Sequence, residues 1–296
     1  MSYNSIVLVK QVPDTANLSG EVMREDGTMN RGKLPAIFNP EDKVALEVAL
    51  QVKDRYGGKV KVISMGPPKA SDVLRECLYM GADETFLVSD RKFAGADTQA
   101  TSYVICKAIR KVGDYDLVFA GRQAIDGDTA QVGPQTAEKL GIPQITYAEE
   151  IVDLQDSRIT VKRRIDGGHE VLESPLPVLI TVIKSAATPR PFKAKRAMAM
   201  KNARSLPELD RITEANSLLN IEDLKEEYAS NNLYIPTYMV DDLDVDPDRC
   251  GLAGSPTKVH KVEYVVLEGG EHENFEPTKK GIGDLVDKLV HDHIFG

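Results

Sequence analysis

The residues with the clearest chemical use form one stretch: Gly121-Arg122-Gln123-Ala124-Ile125-Asp126-Gly127-Asp128-Thr129-Ala130-Gln131-Val132-Gly133-Pro134. It leaves the apolar run Asp116–Ala120 and leads into a helix. Proline is tolerated only near the first turn of a helix, so that helix starts within about a turn before Pro134. Such a loop offers free backbone N–H groups and a positive helix end at one edge of a sheet. A phosphate or diphosphate can be held there with few lysines. Gly121, Gly127 and Gly133 allow tight turns or close backbone approach. Asp126 and Asp128 would repel phosphate if they faced it; Asx-type bonds within the loop or contacts with ribose hydroxyls suit them better. A turn serving only the chain would use many of the same residues.

Two further loops leave the same side of a parallel sheet. Strand Ile6–Val9 ends in Lys10-Gln11-Val12-Pro13-Asp14-Thr15, and strand Val60–Met65 ends in Gly66-Pro67-Pro68. All strand C-termini lie on one edge, so these loops can share a crevice. Asn39-Pro40-Glu41-Asp42 joins them if its helix starts inward, although Asn39 as N-cap with Pro40 at the first helical position explains the pair by capping alone. There is no G-x-S-x-G, no G-x-x-x-x-G-K-[ST] and no G-x-G-x-x-G. Asp242, Asp244 and Asp246 imitate a calcium loop, but Pro247 and Ala253 stand where glycine and glutamate are required. No metal site and no catalytic side chain is expected; a nucleotide crevice without one assigns the chemistry to a cofactor.

The elements that must position these loops alternate. Val44, Val48 and Val52 with Ala45 and Ala49 form a helical stripe over Asp42–Lys53. Val73, Leu74, Cys77 and Leu78 mark a second helix, Thr85–Val88 a strand, and Asp97–Val112 a third helix. Ala137 and Leu140 belong to a fourth, closed by Gly141 and Pro143. This is an α/β pattern: a doubly wound, mostly parallel sheet. Arg158–Ile165, the turn Asp166-Gly167-Gly168 and His169–Leu172 then read as a hairpin, which with Val178–Ile183 is expected to form an antiparallel edge. The predicted division is an α/β nucleotide-binding domain over 1–186, a basic then acidic segment over 187–258, and a C-terminal arm over 259–296. From Ala186 to Leu206 there are Arg190, Lys193, Lys195, Arg196, Lys201 and Arg204 and no acid; from Glu208 to Asp248 the chain is strongly acidic. Such a split suits an exposed, partner-facing segment or a merely solvated one. Ile282, Leu285, Val286 and Leu289 make Gly281–Ile294 an amphipathic helix that docks on a second protein or on its own body.

The net charge of −9 argues against nucleic acid as the main partner. No apolar run reaches the roughly 20 residues of a membrane span. No targeting segment is read at the start of the chain, and three scattered cysteines without a CxxC fit a reducing compartment, so the expected location is cytoplasmic.

IVLVKQVPD (Ile6–Asp14), Asn39-Pro40, Met65-Gly66-Pro67, Gly121–Pro134 and Ile165-Asp166-Gly167-Gly168 together resemble the β subunit of electron-transferring flavoproteins. The resemblance covers about residues 1–186 and resumes at Ala253-Gly254-Ser255-Pro256-Thr257. It implies an adenine-nucleotide α-hydrolase-like fold and a heterodimer with an α subunit that carries FAD. It implies that the backbone near Leu8 and Lys10, the segment Asn39, Pro40, Glu41 and Asp42, the pair Met65 and Gly66, and Gly121, Arg122, Gln123, Ala124, Ile125, Asp126, Gly127, Asp128, Thr129, Ala130, Gln131 and Val132 bind a nucleotide. In one branch that nucleotide is AMP, a structural ligand. In the electron-bifurcating branch of anaerobes it is a second FAD, reduced by NADH. One electron then passes through the α-subunit FAD to a partner dehydrogenase, the other to ferredoxin or flavodoxin. Ala130–Val132, Ser64–Ala70 and Gly254–Thr257 are similar to the bifurcating branch. The family's dehydrogenase-recognition loop follows Val178–Ile183; here it departs from the usual sequence and continues as a long extension. Phe192, with Arg190, Lys193, Lys195 and Arg196, is expected to meet the dehydrogenase, of lactate or acyl-CoA type. A universal-stress-type nucleotide-binding module is a remote alternative, because the closing Gly-Ser/Thr pattern is not found after Gly127.

Overall fold

The computed structural model describes residues 2–14, 35–257 and 273–295. Thr15 and residues 258–272 of the segments named above lie outside them. The chain divides into two compact units, residues 1–258 and 259–296.

The first unit opens with β1 (Ser5–Val9), a short pair β2 (Gln11–Pro13) and β3 (Ala36–Phe38), and α1 (Pro40–Tyr56). β4 (Val60–Met65), α2 (Ser71–Met80), β5 (Glu84–Val88), α3 (Thr98–Val112), β6 (Leu117–Gly121) and α4 (Val132–Leu140) complete the alternating half. Then come β7 (Gln144–Gln155), β8 (Arg158–Ile165), β9 (Gly168–Pro175) and β10 (Val178–Val182). The remainder holds α5 (Ala194–Met200), β11 (Arg204–Ser205), α6 (Leu206–Ala215), α7 (Ile221–Ser230), β12 (Tyr234–Ile235) and β13 (Thr237–Tyr238).

The main sheet has nine strands in the order β13-β5-β4-β1-β6-β10-β7-β8-β9. It is parallel from β13 through β7 and antiparallel only over β7-β8-β9. The architecture is therefore the expected α/β sheet with an antiparallel edge. One element is corrected: β10 lies inside the sheet, parallel to both β6 and β7, rather than in the antiparallel edge. Its five residues are all buried, as a strand covered on both faces requires. Two layers cover the sheet. Val44, Ala45, Val48 and Val52 of α1 join Val73, Leu74 and Cys77 of α2 in one core; Val104, Ala108 and Ile109 of α3 join Ala137 of α4 in the other.

The acidic stretch does more than extend into solvent. β13 adds to the outer edge of β5 in parallel register, Thr237 opposite Leu87, and Tyr238 stacks on Phe86 with ring centroids 5.8 Å apart. Ser205 Oγ lies 2.8 Å from Ser71 Oγ, and Arg75 pairs with Glu208 at 2.9 Å. Residues 204–250 thus wrap the α2–β5 side and cover an edge that would otherwise be open for pairing.

In the second unit, α8 (Lys279–His291) is capped by Thr278, whose Oγ1 accepts from Gly281 N. Ile282, Leu285 and Val286 of the expected apolar stripe are exposed, while Leu289 is half-buried. No helix among the described residues is long and apolar enough to cross a membrane.

Candidate functional site

β1, β4 and β6 are adjacent parallel strands, so Lys10, Met65 and Gly121 end on one edge of the sheet. α1 begins at that edge, and its first turn is bonded to the loop after β6. Glu41 receives the Arg122 guanidinium through both oxygens, at 3.1 and 3.3 Å, and also accepts from Gln123 N at 3.0 Å. Asn39 Nδ2 donates to Gln123 O at 2.9 Å, and its Oδ1 accepts from Ile125 N at 3.2 Å. Asp42 accepts from Lys10 N at 2.9 Å and from Gly121 N at 3.1 Å.

These bonds revise two expectations. Asn39 makes no side-chain capping bond to α1; its amide, fully buried, serves the loop instead. Replacing Asn39 with alanine is expected to cost about 1–3 kcal/mol of loop stability, because two backbone groups lose their partner. Affinity for the nucleotide expected at this loop should fall about tenfold or more, while far-UV circular dichroism stays unchanged. A loss of helicity would restore the capping role. Asp42, expected at the ligand, has both carboxylate oxygens occupied within the chain. Burial pushes it up to about 7 against the pull of the Asn39 side chain and the Lys10 and Gly121 amides.

Beyond Ile125 the loop opens. Lys10 Nζ holds both oxygens of Asp126 at 2.8 Å, and Gln123 Nε2 donates to Asp128 at 2.7 Å. The two aspartates therefore tie the loop by side-chain partners, not by Asx turns. Asp128 and Ala130 have φ of 49° and 53°, a left-handed backbone that non-glycine residues adopt at a cost. The amides of Thr129, Ala130, Gln131, Val132 and Gly133 have no partner among the described residues; the first bond of α4 runs from Gln135 N to Gln131 O. Among the described residues nothing stands within 4 Å of where a Gly127 Cβ would be. Strained backbone, unpaired amides, a helix start and open space fit an anionic diphosphate. A metal cluster of His, Cys, Asp or Glu is absent among the described residues.

The rest of the expected set is less gathered. Leu8 is buried between Ile63 and Ala120 and can offer only backbone. Gly66 N is tied to Val88 O, which directs the Met65-Gly66 turn toward β5.

Residues 26–207 match a family model described as "Electron transfer flavoprotein domain". The chain is 42% identical to "Electron transfer flavoprotein subunit beta" of Clostridium acetobutylicum, over 98% of this chain and 99% of the relative.

The chain belongs to the electron transfer flavoprotein β-subunit family.

Two further relatives are 40% identical. "Caffeyl-CoA reductase-Etf complex subunit CarD" of Acetobacterium woodii covers 98% of either chain. "Acryloyl-CoA reductase electron transfer subunit gamma" of Anaerotignum propionicum covers 97% of this chain and 98% of its own.

In this β subunit the segment expected to meet a dehydrogenase is fastened to α1 and α2. Arg190 donates to Glu47 at 2.8 and 3.0 Å and pairs with Asp54 at 2.8 Å. Arg196 donates to Leu78 O and Ala82 O. Both guanidinium groups are spent inside the subunit. Phe192 rests edge-on against Tyr79 at 5.6 Å with Lys43 5.1 Å from its ring, and it remains 44% exposed. Lys193, Lys195 and Met198 face solvent.

Two features of the β subunit escaped the sequence. Tyr147 on β7 has φ 59°, an outlier for a bulky residue, and its ring lies 5.8 Å from the Arg122 guanidinium. No sequence signal marks it. The first turn of α3 reaches the loop's end, with Thr98 Oγ1 donating to Gln131 at 3.1 Å. Asp97 caps that helix and accepts from Thr257 N and Oγ1, while its own N–H donates to Ser255 Oγ. Gly254–Thr257 is thereby brought to the start of α3, and together they line an open hollow of about 380 Å³ with Gln99, Tyr103 and Arg249.

Proposed function

We propose that this chain is the β subunit of an electron-bifurcating flavoprotein and holds FAD in the crevice beyond β6. The supporting observation is the loop 121–132: anchored at its root by Asn39, Glu41 and Asp42, left-handed at its crest, and rich in amides without a partner among the described residues at the start of α4. When bound, FAD supplies a ring that takes hydride from NADH and releases electrons singly, one toward ferredoxin or flavodoxin and one through the α-subunit FAD toward a dehydrogenase.

The chain's own residues bind and orient. The amides of Thr129 to Gly133 hold the diphosphate by hydrogen bonds and by the positive end of α4. Gly133 lets α4 sit close on β10, where a Cβ would come within 2.7 Å of Thr181 Cγ2. The Arg122–Glu41 pair fixes the root of the loop. No side chain transfers a proton. The names of the two CoA-reductase relatives favour an acyl-CoA-type dehydrogenase over a lactate-type one, with Phe192, Lys193 and Lys195 as the contact on this subunit.

Nucleotide content tests the assignment. The chain is co-expressed with its α subunit and the extract is denatured. Two FAD and no AMP per heterodimer are expected; one FAD with AMP rejects bifurcation in favour of AMP as a structural ligand. Asp128 and Thr129 replaced together by bulky apolar residues should release the β-bound nucleotide and leave the α-bound flavin. Unchanged content would remove the loop from the site.

A further inference from the structure

We infer that Asp42 is a positioning residue of the crevice: its inward carboxylate ties the end of β1 to the end of β6 and thereby sets where loop 121–132 stands, without itself touching the nucleotide. The inference rests on the nucleotide-binding reading of that loop. Asp42 is 7% exposed. One oxygen accepts from Lys10 N, the other from Gly121 N, so two strands separated by 32 and 79 residues from their shared partner meet on one side chain. The approach is close enough that a Cβ on Gly121 would lie 2.5 Å from Asp42 Oδ1. Lys10 then carries its ammonium to Asp126, and Gly121 starts the loop; both walls of the crevice are registered through this carboxylate.

A carboxylate accepts strongly from both amides; protonation turns one oxygen into a hydroxyl, a weaker acceptor whose own proton needs a partner, and an amide side chain sets an N–H donor against one of them. Protonation therefore loosens either the Lys10 turn or the Gly121 loop. The groups around it are accounted for. Lys10, just beyond β1, pairs with Asp126. On α1, Glu41 pairs with Arg122 and Lys43 with Glu76. Cys77 from α2 is a fully buried thiol that burial pushes well up, so it stays neutral. Asp42, raised by burial to about 7, is the group that changes charge near neutrality.

An anionic ligand acting by charge alone would favour the protonated acid, and binding would tighten on acidification. Positioning by the ionised carboxylate predicts the reverse. If only the ionised form is competent, apparent affinity falls about tenfold between pH 8 and pH 6.

The test uses the intact heterodimer stripped of its β nucleotide and FAD as the probe, since a diphosphate diester does not titrate in this range. Wild type should lose about tenfold in affinity at pH 6 relative to pH 8. Asp42→Asn should bind at least tenfold more weakly at pH 8 and show no slope. Calorimetry of wild type in two buffers of different ionisation enthalpy should show proton release on binding near pH 7, a measurement that needs no variant to fold. A flat or inverted wild-type profile, or an Asp42→Asn subunit that keeps wild-type affinity and slope, overturns the role of Asp42 while leaving the crevice a nucleotide site. Failure of FAD to bind the β subunit at either pH overturns the functional reading itself.

Discussion

A Gly121→Ala subunit is expected to lose its β-bound nucleotide while the α subunit keeps its flavin. The added Cβ would lie 2.5 Å from Asp42 Oδ1, 2.7 Å from Asp42 N and 2.8 Å from the Glu41 carbonyl carbon. Two of these three atoms are backbone of α1's first turn, which cannot swing aside as a side-chain tip can. Relief comes only by parting β6 from α1, and that breaks the bonds from Gly121 N and Gln123 N to Asp42 and Glu41. Overpacking of this kind costs about 1–3 kcal/mol, and each buried N–H left without an acceptor about 1–3 more. The loss should therefore exceed a hundredfold in nucleotide affinity, read as FAD and AMP per heterodimer after gel filtration, with a lowered urea midpoint. Gly127→Ala is the matched control: its Cβ meets nothing within 4 Å, so nucleotide content should hold. Equal retention by both variants would mean that the root of the loop does not govern the crevice.

Removing the Arg190 guanidinium should produce the largest loss of stability. The Glu47 side chain is 5% exposed and accepts from Arg190 through Nε, Nη2 and the backbone N. Arg190→Met leaves that carboxylate buried with no cation, which typically costs about 3–5 kcal/mol. The segment carrying Phe192 and α5 would come loose from α1, so electron delivery to the dehydrogenase should fall along with the urea midpoint. Pairing it with Glu47→Met should restore most of the stability, since an apolar pair removes the stranded charge. If the single variant unfolds at the wild-type urea concentration, the ion pair is solvated and the segment is held by other contacts.

The sequence shows α1 through Val44, Val48 and Val52, but not why Leu46 and Leu50 are also buried. Leu50 lies against Gly81 beyond α2, where a Cβ would meet its Cδ2 at 3.4 Å, and Glu47 is buried under Arg190; contacts 31 and 143 residues away leave no trace in periodicity. β7 went unread because bulges near Ala148–Glu150 and Ile151–Asp153 break its two-residue alternation. The run Val178–Ile183 was legible as a strand, and its unbroken apolarity signals a buried parallel one; nearness in sequence to the hairpin suggested the edge instead. For the site, the glycines and Pro134 located the loop and the start of α4. Residue type also suggested a role for Asn39, but its partners, Gln123 and Ile125, lie 84 and 86 residues on, and short-range capping is the default reading of such a residue. Asp42 is similar: an acid in a first turn looks like a dipole contact until Gly121 arrives from across the fold.

The placement of β13 against β5 has a consequence for biogenesis. Thr237 joins Leu87 about 150 residues after that strand has been made, so the sheet cannot be finished until residue 238 has left the ribosome. Until then β5 presents a bare rim of amides and carbonyls beside Phe86, the kind of surface that chaperones hold and that neighbouring nascent chains can capture. Truncation anywhere before Tyr238 should therefore yield inclusion bodies rather than a smaller soluble subunit.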